Sequence, residues 1–502
     1  MPATMFRNFT HPETGWLFGL GPTQLAIVIA ASFPIWISLS NQRWAAVGIF
    51  TLIWGLVVVL TVVPLGGRSS TGWMIAAAAF AIASLSGWSV FTSRAERGRL
   101  RDLDDLDMPG VLAPIEIVEG PPAGVEQRRM AVIKNTAART WAITARIQHF
   151  GTAMADESEL ARYASALTDL VDVAAQGEMV EEIHLMVRAT PDDCAERELW
   201  LRNHITDTAP DTAAATNIEL LRWGQAGTRT ESFLTIVVPE ARLAREAKHL
   251  GGHLAGRMNT LITVATEIGT VLTGAMGATD VAWLTSPELA AVVRTGFAPG
   301  DRAGLIHAHH QHQLDNTVVT DVPWALAGPT HTTSAVRHYT HDAWHTITTT
   351  LKLPEKGTTM GALGSVLVPS QAMERRSVTV VFPIERQSSA DRKASQAEFT
   401  TSLGQELRDR LGVRTGIKDR RNKDKIDQVE TQLALGATLT HPYVVCSTTV
   451  PQSAPINEFG RRLDAAIRQA GFAPQRLDMS QDCAFVTANI PLGISLSRKG
   501  LL

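Results

Sequence analysis

The pattern of apolar and polar positions changes character once, near residue 93. Before it lie three long runs without a charge, 14–42, 44–67 and 69–93; after it apolar residues come in short alternating or helix-spaced groups. A helix rising about 1.5 Å per residue needs about 20 apolar residues to cross about 30 Å of hydrocarbon. The runs Gln24–Leu39, extended to Gln42, and Ala45–Val63 meet that length and join through Ser40-Asn41-Gln42-Arg43. They predict a membrane hairpin over 24–65 (spans 24–42 and 44–65), with Trp16, Trp36 and Trp44 near its interfaces. The third run is diluted by Ala, Ser and Gly and is followed at once by Arg94, Arg97, Arg99 and Arg101. Basic residues beside spans favour the cytoplasmic side. Two spans put Arg7, Arg68 and this cluster together and leave Arg43 opposite, so Trp73–Phe91 is expected along the inner leaflet rather than across it.

Beyond the acidic linker Asp102, Asp104, Asp105 and Asp107, helix and strand patterns alternate. Met130–Ile133 and Arg139–His149 read as a hairpin. Leu160, Tyr163, Ala164, Leu167, Leu170, Val171 and Ala174 repeat at helical spacing. Glu182–Arg188 and Phe233–Val238 are expected strands and Pro191–Asn203 a helix. A helical region is expected from Glu240 to about Met276, broken at Gly251-Gly252. Ser286-Pro287-Glu288 opens a further helix with a cap, a first-turn proline and an early acid. Residues 298–335 read as irregular. Trp344–Leu353, Ser377–Pro383, Tyr443–Val450 and Ala484–Ile490 are expected strands, and Ala390–Leu411, Asp424–Leu435 and Asn457–Ala470 expected helices.

Hairpin, helix, strand, helix, strand therefore occurs twice. The expected fold class is α/β (α+β): a two-helix membrane hairpin, then a cytoplasmic domain of two similar α/β modules joined by helices. The divisions are a cytoplasmic tail 1–23, the hairpin 24–65, a juxtamembrane helix and charged linker 66–110, a first module 111–240, a helical and irregular connector 241–335, and a second module 336–502.

Composition sharpens the contrast. Residues 1–93 hold four charged side chains, Arg7, Glu13, Arg43 and Arg68; the rest of the 46 Lys/Arg and 49 Asp/Glu lie beyond. The net charge of −3 excludes a generally basic nucleic-acid binder, and 45% hydrophobic content excludes disorder. Cys194, Cys446 and Cys483 are dispersed and odd in number, which fits a reducing compartment and places the large domain in the cytoplasm.

Candidate chemistry is sparse. No GxxxxGK[ST], strand-linked GxGxxG or GxSxG occurs, and Met360–Gly364 reads as a plain loop. His341-Asp342-Ala343-Trp344-His345 mimics the HExxH of zinc hydrolases, whose histidines share one helix face. Here Asp replaces the glutamate and a β-branched run follows, so strand spacing of about 13 Å over four residues separates the two rings. His307, His309, His310 and His312 form a dense tract in an expected loop. Arg408, Arg410, Arg414, Lys418, Arg420, Arg421, Lys423 and Lys425 make a basic segment that suits a partner, lipid or DNA patch, without aromatic residues to stack on bases. No catalytic residue and no cofactor is expected.

Several segments, taken in order, resemble an actinobacterial family of membrane proteins from conjugative, type IV secretion-like machinery. They are Arg7-Asn8-Phe9 with Gly15–Leu20 and the hairpin, then His338–Ala343 and Arg375–Phe382, then Gly471-Phe472 before Ala484–Gly493. The ending resembles the N-terminal domain of VirB/TrbE-class secretion ATPases, where a strand precedes a Leu-Pro-Gly turn. The hairpin resembles the small inner-membrane subunit often fused to that ATPase. The resemblance implies a non-enzymatic, multi-pass inner-membrane scaffold in an oligomeric complex, with a separate motor ATPase, other inner-membrane secretion subunits and lipid as partners; direct contact with nucleic acid stays open. Gly67–Trp73 is also similar to EccE of type VII secretion, which gives a second reading. A membrane-tethered metal hydrolase using His341 and His345 is a third.

Overall fold

The computed structural model describes residues 5–6, 22–62, 64–65, 68–124, 126–151, 155–206, 208–224, 227–354, 357–385, 438 and 440–497. The chain divides into two units. One comprises Met1–Arg7, Gly87–Glu385 and Thr440–Leu502, the other Asn8–Ser86 and Arg386–Leu439.

In the smaller unit, α1 (Pro22–Ser40) and α2 (Trp44–Val62), each 19 residues, form a helical hairpin. Its turn closes by Arg43 N donating to Ser38 O, and Trp54 Nε1 donates to Val28 O across the pair at 3.1 Å. Phe33, Trp36, Trp44 and Leu52 face outward. The third apolar run forms α3 (Ser70–Leu85). Among the described residues no helix is long and apolar enough to cross a membrane; the side chains described in the hairpin are those of 28–40 and 44–58.

The larger unit is mixed α/β, built on one 13-stranded antiparallel sheet. Its strands are β1 (Val90–Thr92), β2 (Ile115–Ala123), β3 (Arg128–Asn135), β4 (Thr140–Gln148), β5 (Glu182–Pro191), β6 (Thr228–Pro239) and β7 (Asp280–Trp283). They continue with β8 (His331–Ser334), β9 (Tyr339–His341), β10 (Trp344–Lys352), β11 (Arg375–Pro383), β12 (Tyr443–Pro451) and β13 (Ala473–Arg476). The spatial order is β1-β8-β9-β10-β12-β11-β5-β6-β4-β3-β2, with β7 added to β4 and β13 to β10. Both modules expected from the sequence therefore share a single sheet. The strand β7 falls inside the stretch read as a connector, yet it pairs Asp280–Trp283 with Gln148–Ala145.

Helices cover both faces. One face carries α4 (Glu157–Gln176), α7 (Glu240–Glu246), α8 (Leu254–Gly274), α12 (Gly364–Leu367) and α13 (Ile456–Gln469). Leu170, Val171, Leu261 and Ile268 pack there on Ile143, Ile183 and Ile236, while Leu463 and Ile467 pack on Val444 and Cys446. The break between α7 and α8 is where the sequence put it: Gly251 and Gly252 both take positive φ, +98° and +72°. The other face carries α9 (Ser286–Phe297) and α14 (Gln481–Asn489), whose Leu289, Val292, Val293, Phe485 and Val486 pack on Ala142, Met186, Phe233, Val237, Val381 and Val445.

Two expectations change. The stretch 298–335, read as irregular, holds helices α10 (Arg302–Leu314) and α11 (Trp324–Ala327) and strand β8. Ala484–Ile490, read as the last strand, lies largely in α14. Every residue of 483–489 is buried, so no polar face marks the helical period and the run Phe485-Val486-Thr487 mimics a strand. The expected helices 390–411 and 424–435 lie outside the described residues.

The sheet margins differ. Among the described residues β2 pairs only with β3, and it loses register between Glu119 and Pro122, at Gly120-Pro121-Pro122. At the other margin β1 pairs three residues with β8, Thr92 to His331 through Val90 to Thr333.

Candidate functional site

The middle of the sheet, where β5 meets β11, is the most polar part of the interior. A buried long cation marks each side: Arg188 within β5 and Arg375 at the start of β11, both about 1% exposed. Arg188 donates to Val292 O of α9 at 3.2 Å and to Asn489 O of α14 at 3.3 Å, and pairs with Glu231 at 2.9 Å. Arg375 donates to Thr295 O of α9 at 3.0 Å and to Thr449 Oγ1 at 3.2 Å. The C-terminal carbonyls of α9 and α14 carry partial negative charge, and the guanidiniums answer it. Burial and the neighbouring Arg188 push the Arg375 pKa down to about 9.

A chain of hydrogen bonds runs outward from Arg375. Thr449 Oγ1 lies 2.8 Å from Thr346 Oγ1, which lies 2.8 Å from His341 Nε2, and His341 Nδ1 lies 2.6 Å from Phe297 O. The carbonyl only accepts, so Nδ1 carries the proton and Nε2 accepts from Thr346. Burial, then the charge of Arg375, holds the His341 pKa well below the ordinary histidine value. Beside it Asn489 ties Ser377 and Ser447 together at 3.0–3.2 Å.

A second buried group surrounds Glu374, which accepts from Arg376 Nε at 2.7 Å, Thr448 Oγ1 at 2.7 Å and Ser370 Oγ at 2.6 Å. Glu182 and His184 pair at 2.9 Å in β5. Gln481 serves the backbone: its amide accepts from Thr348 N at 2.8 Å and donates to Thr348 O at 3.1 Å, bridging the gap on β10 between β9 and β13. These groups hold one another and the backbone, an arrangement suited to fixing geometry rather than transferring a proton to a substrate.

The candidates from the sequence fall elsewhere. His341 and His345 flank a tight turn: Thr340 pairs with His345 and His341 with Trp344, so the two rings lie on opposite faces of the hairpin. His345 Nδ1 meets Thr340 Oγ1 at 2.9 Å. They share no metal geometry, which removes the hydrolase reading. His307, His309, His310 and His312 lie on α10, not in a loop. His312 Nδ1 bonds Val318 O at 2.7 Å and His310 Nε2 bonds Asn203 at 2.8 Å. Among the described residues no group of three or more His, Cys, Asp or Glu side chains is placed to hold a metal. The basic residues Arg408, Arg410, Arg414, Lys418, Arg420, Arg421, Lys423 and Lys425 lie outside the described residues. Cys194, Cys446 and Cys483 are buried and none is in a disulfide.

Two surface features were not legible in the sequence. Helix α6 (Asp211–Gly224), which follows α5 (Ala195–His204) between β5 and β6, has no fully buried residue. It exposes Ile218 and Trp223, and α5 exposes Trp200. A shallow cleft of about 440 Å³ is lined by Arg294, Asp301, Leu305, Val319, Thr320 and Leu326. Its cation is already held by Asp301 at 2.6 Å and Asp342 at 3.2 Å.

No known family matches the chain, and no curated protein matches it.

Proposed function

We propose that the chain is a non-enzymatic inner-membrane scaffold of a type IV secretion or conjugation complex, which docks a separate motor ATPase. The observation that carries the membrane part is the hairpin. Two 19-residue helices without a charge, joined by the three-residue polar turn Asn41-Gln42-Arg43, are each about 28 Å long at 1.5 Å per residue. On this reading the arginines at 94–101 lie at the cytoplasmic face and the large domain is cytoplasmic. The scaffold part is supported by an interior whose titratable groups are tied into hydrogen bonds, and by the exposed apolar side chains of Trp200, Ile218 and Trp223.

The choice of system rests on the order of the sequence segments. One of them has changed: Ala484–Ile490 lies largely in a helix, where the motor N-terminal domain was expected to offer a strand. The Gly67–Trp73 segment keeps an EccE-like subunit of a type VII system as the second reading.

Deleting the gene from a conjugative donor should abolish plasmid transfer while relaxase nicking stays intact; unchanged transfer overturns the proposal. The purified chain should hydrolyse no ATP alone and should co-purify with the motor. Loss of export of small helical proteins, with transfer intact, selects the type VII reading. A reporter fused after Arg101 should report cytoplasm, and an exterior signal would mean three spans.

A further inference from the structure

The sheet repeats itself about its centre. Reading outward from the junction of β5 and β11, one side runs β5, β6, β4, β3 and the other β11, β12, β10, β9. Each half begins in sequence with its outer hairpin, β3–β4 or β9–β10. Each then adds its central strand, returns beside it, and adds a short strand, β7 or β13, to the second hairpin strand. Each ends in a helix on the same face, α9 or α14. The central strands are antiparallel, as a two-fold axis between identical units demands.

The ladders turn this likeness into a residue register. Setting Glu182 on Glu374 fixes every other strand, because each is locked to its neighbour. Glu182 pairs with Val237, and Glu374 extends the ladder to Val450. Val237 pairs with Ala142 and Val450 with His345, which sets Trp141 on Trp344. Following β7 and β13 onward sets Ser286 on Ser480. One choice thus aligns two glutamates, two valines, two tryptophans and two helix-opening serines. In the helices it matches Ser286, Glu288, Ala290 and Val292 with Ser480, Asp482, Ala484 and Val486. Each aligned glutamate also pairs with the cation two residues on or its histidine counterpart, Glu182 with His184 and Glu374 with Arg376.

Contacts across the axis are reciprocal. After α14 the chain crosses to the first module, where Pro491 O accepts from Thr144 Oγ1 at 2.8 Å. At the end of α9 it meets the second, where Phe297 O accepts from His341. At the axis itself Gly296 leaves no room: a Cβ there would lie 2.4 Å from Ile490 Cδ1.

We propose that the junction of β5, β11, α9 and α14 is a dimer interface whose partner is a second copy of the same module, joined to the first in one chain. The interface holds the modules together without the covalent link between them. The modules diverge in the connection after the central strand, 192–227 in the first and 384–442 in the second. This inference stands apart from the secretion reading.

The test uses the full chain in detergent with a protease site inserted at the exposed Asn316-Thr317, held on a resin by an N-terminal tag. After cleavage the second-module fragment should stay bound. Gly296→Leu should release it, and so should Arg188→Met or Arg375→Met, one from each side of the axis. The methionine variants carry the result if the leucine chain does not fold uncut. Phe91→Pro, which breaks only the β1–β8 pairing, should leave the fragment bound. Release with the junction intact overturns the proposal, as does equal release by Phe91→Pro.

Discussion

His341 should make the domain acid-sensitive, and by a calculable amount. Arg375 can only donate and Phe297 O can only accept, so the chain Arg375, Thr449, Thr346, His341, Phe297 runs in one direction. A proton on Nε2 would turn Thr346 around, so that Thr449 Oγ1 accepts from both Thr346 and Arg375 and its own hydroxyl hydrogen loses the partner it has in the chain. Burial, then the charge of Arg375, holds the folded pKa well below 6.5. The unfolded chain then takes the proton first as pH falls. Stability from the neutral ring is fully present above about pH 6.5 and is lost below it, at about 1.4 kcal/mol per pH unit for one proton. Between pH 6.5 and 5 that amounts to about 2 kcal/mol. His338 and His345 are also lowered, chiefly by burial, and act in the same sense. His341→Gln isolates the one ring, because an amide supplies donor and acceptor without titrating. Pulse proteolysis in urea on the detergent-solubilised chain, from pH 7.5 to 5, gives both curves. Wild type should lose about 2 kcal/mol more than the variant over that range. A difference that stays constant with pH refutes the assignment.

Glu374→Ala should destabilise by about 3–5 kcal/mol, since it strands a buried Arg376; denaturant midpoints measure it, and a cost under about 1 kcal/mol contradicts the pairing. Gln481→Ala should cost about 1–3 kcal/mol by leaving the buried amide of Thr348 without its acceptor, while the carbonyl keeps Leu477 N, with faster hydrogen exchange at that amide as the signature. Phe485→Ala should cost about 3–5 kcal/mol, because its ring packs on Phe297, Tyr339 and His341. Burial pushes the Cys446 thiol up, so native protein should leave it unlabelled by maleimide and denaturant should expose it; labelling at the native rate of a free thiol argues against the placement.

What the sequence made legible follows its periodicity. Helix α13 announced itself by polar Arg461, Arg462 and Asp464 set against Phe459, Leu463 and Ile467, and the strands around Val237 and Val445 by their β-branched runs. Helix α14 was missed because burial on all sides erases the polar face that defines a helical period. Helix α10 was missed because its four histidines sit among Ala, Gly and Gln with no apolar stripe. The polar centre escaped notice because Arg188, Arg375 and His341 come from three separate strands. Arg188 inside its apolar run, and the pair Arg375-Arg376 opening the other, were the available signs. The repeat was visible as a rhythm of elements, but its residue register needed the ladders, since only a few of the aligned positions keep the same side chain.

The unequal margins of the sheet decide how it would yield under load. A pull on the chain from the side of the apolar hairpin enters at Gly87 and reaches β1, whose three residues bond to β8 one after another. Such a pull peels the ladder a bond at a time, whereas the long central strands lie behind four further ladders. Tension would strip the margin and leave the module junction intact, so β1 acts as a mechanical fuse. The opposite margin offers no comparable grip: the prolines of β2 carry no N–H, and its bulge breaks the register that an added strand would follow.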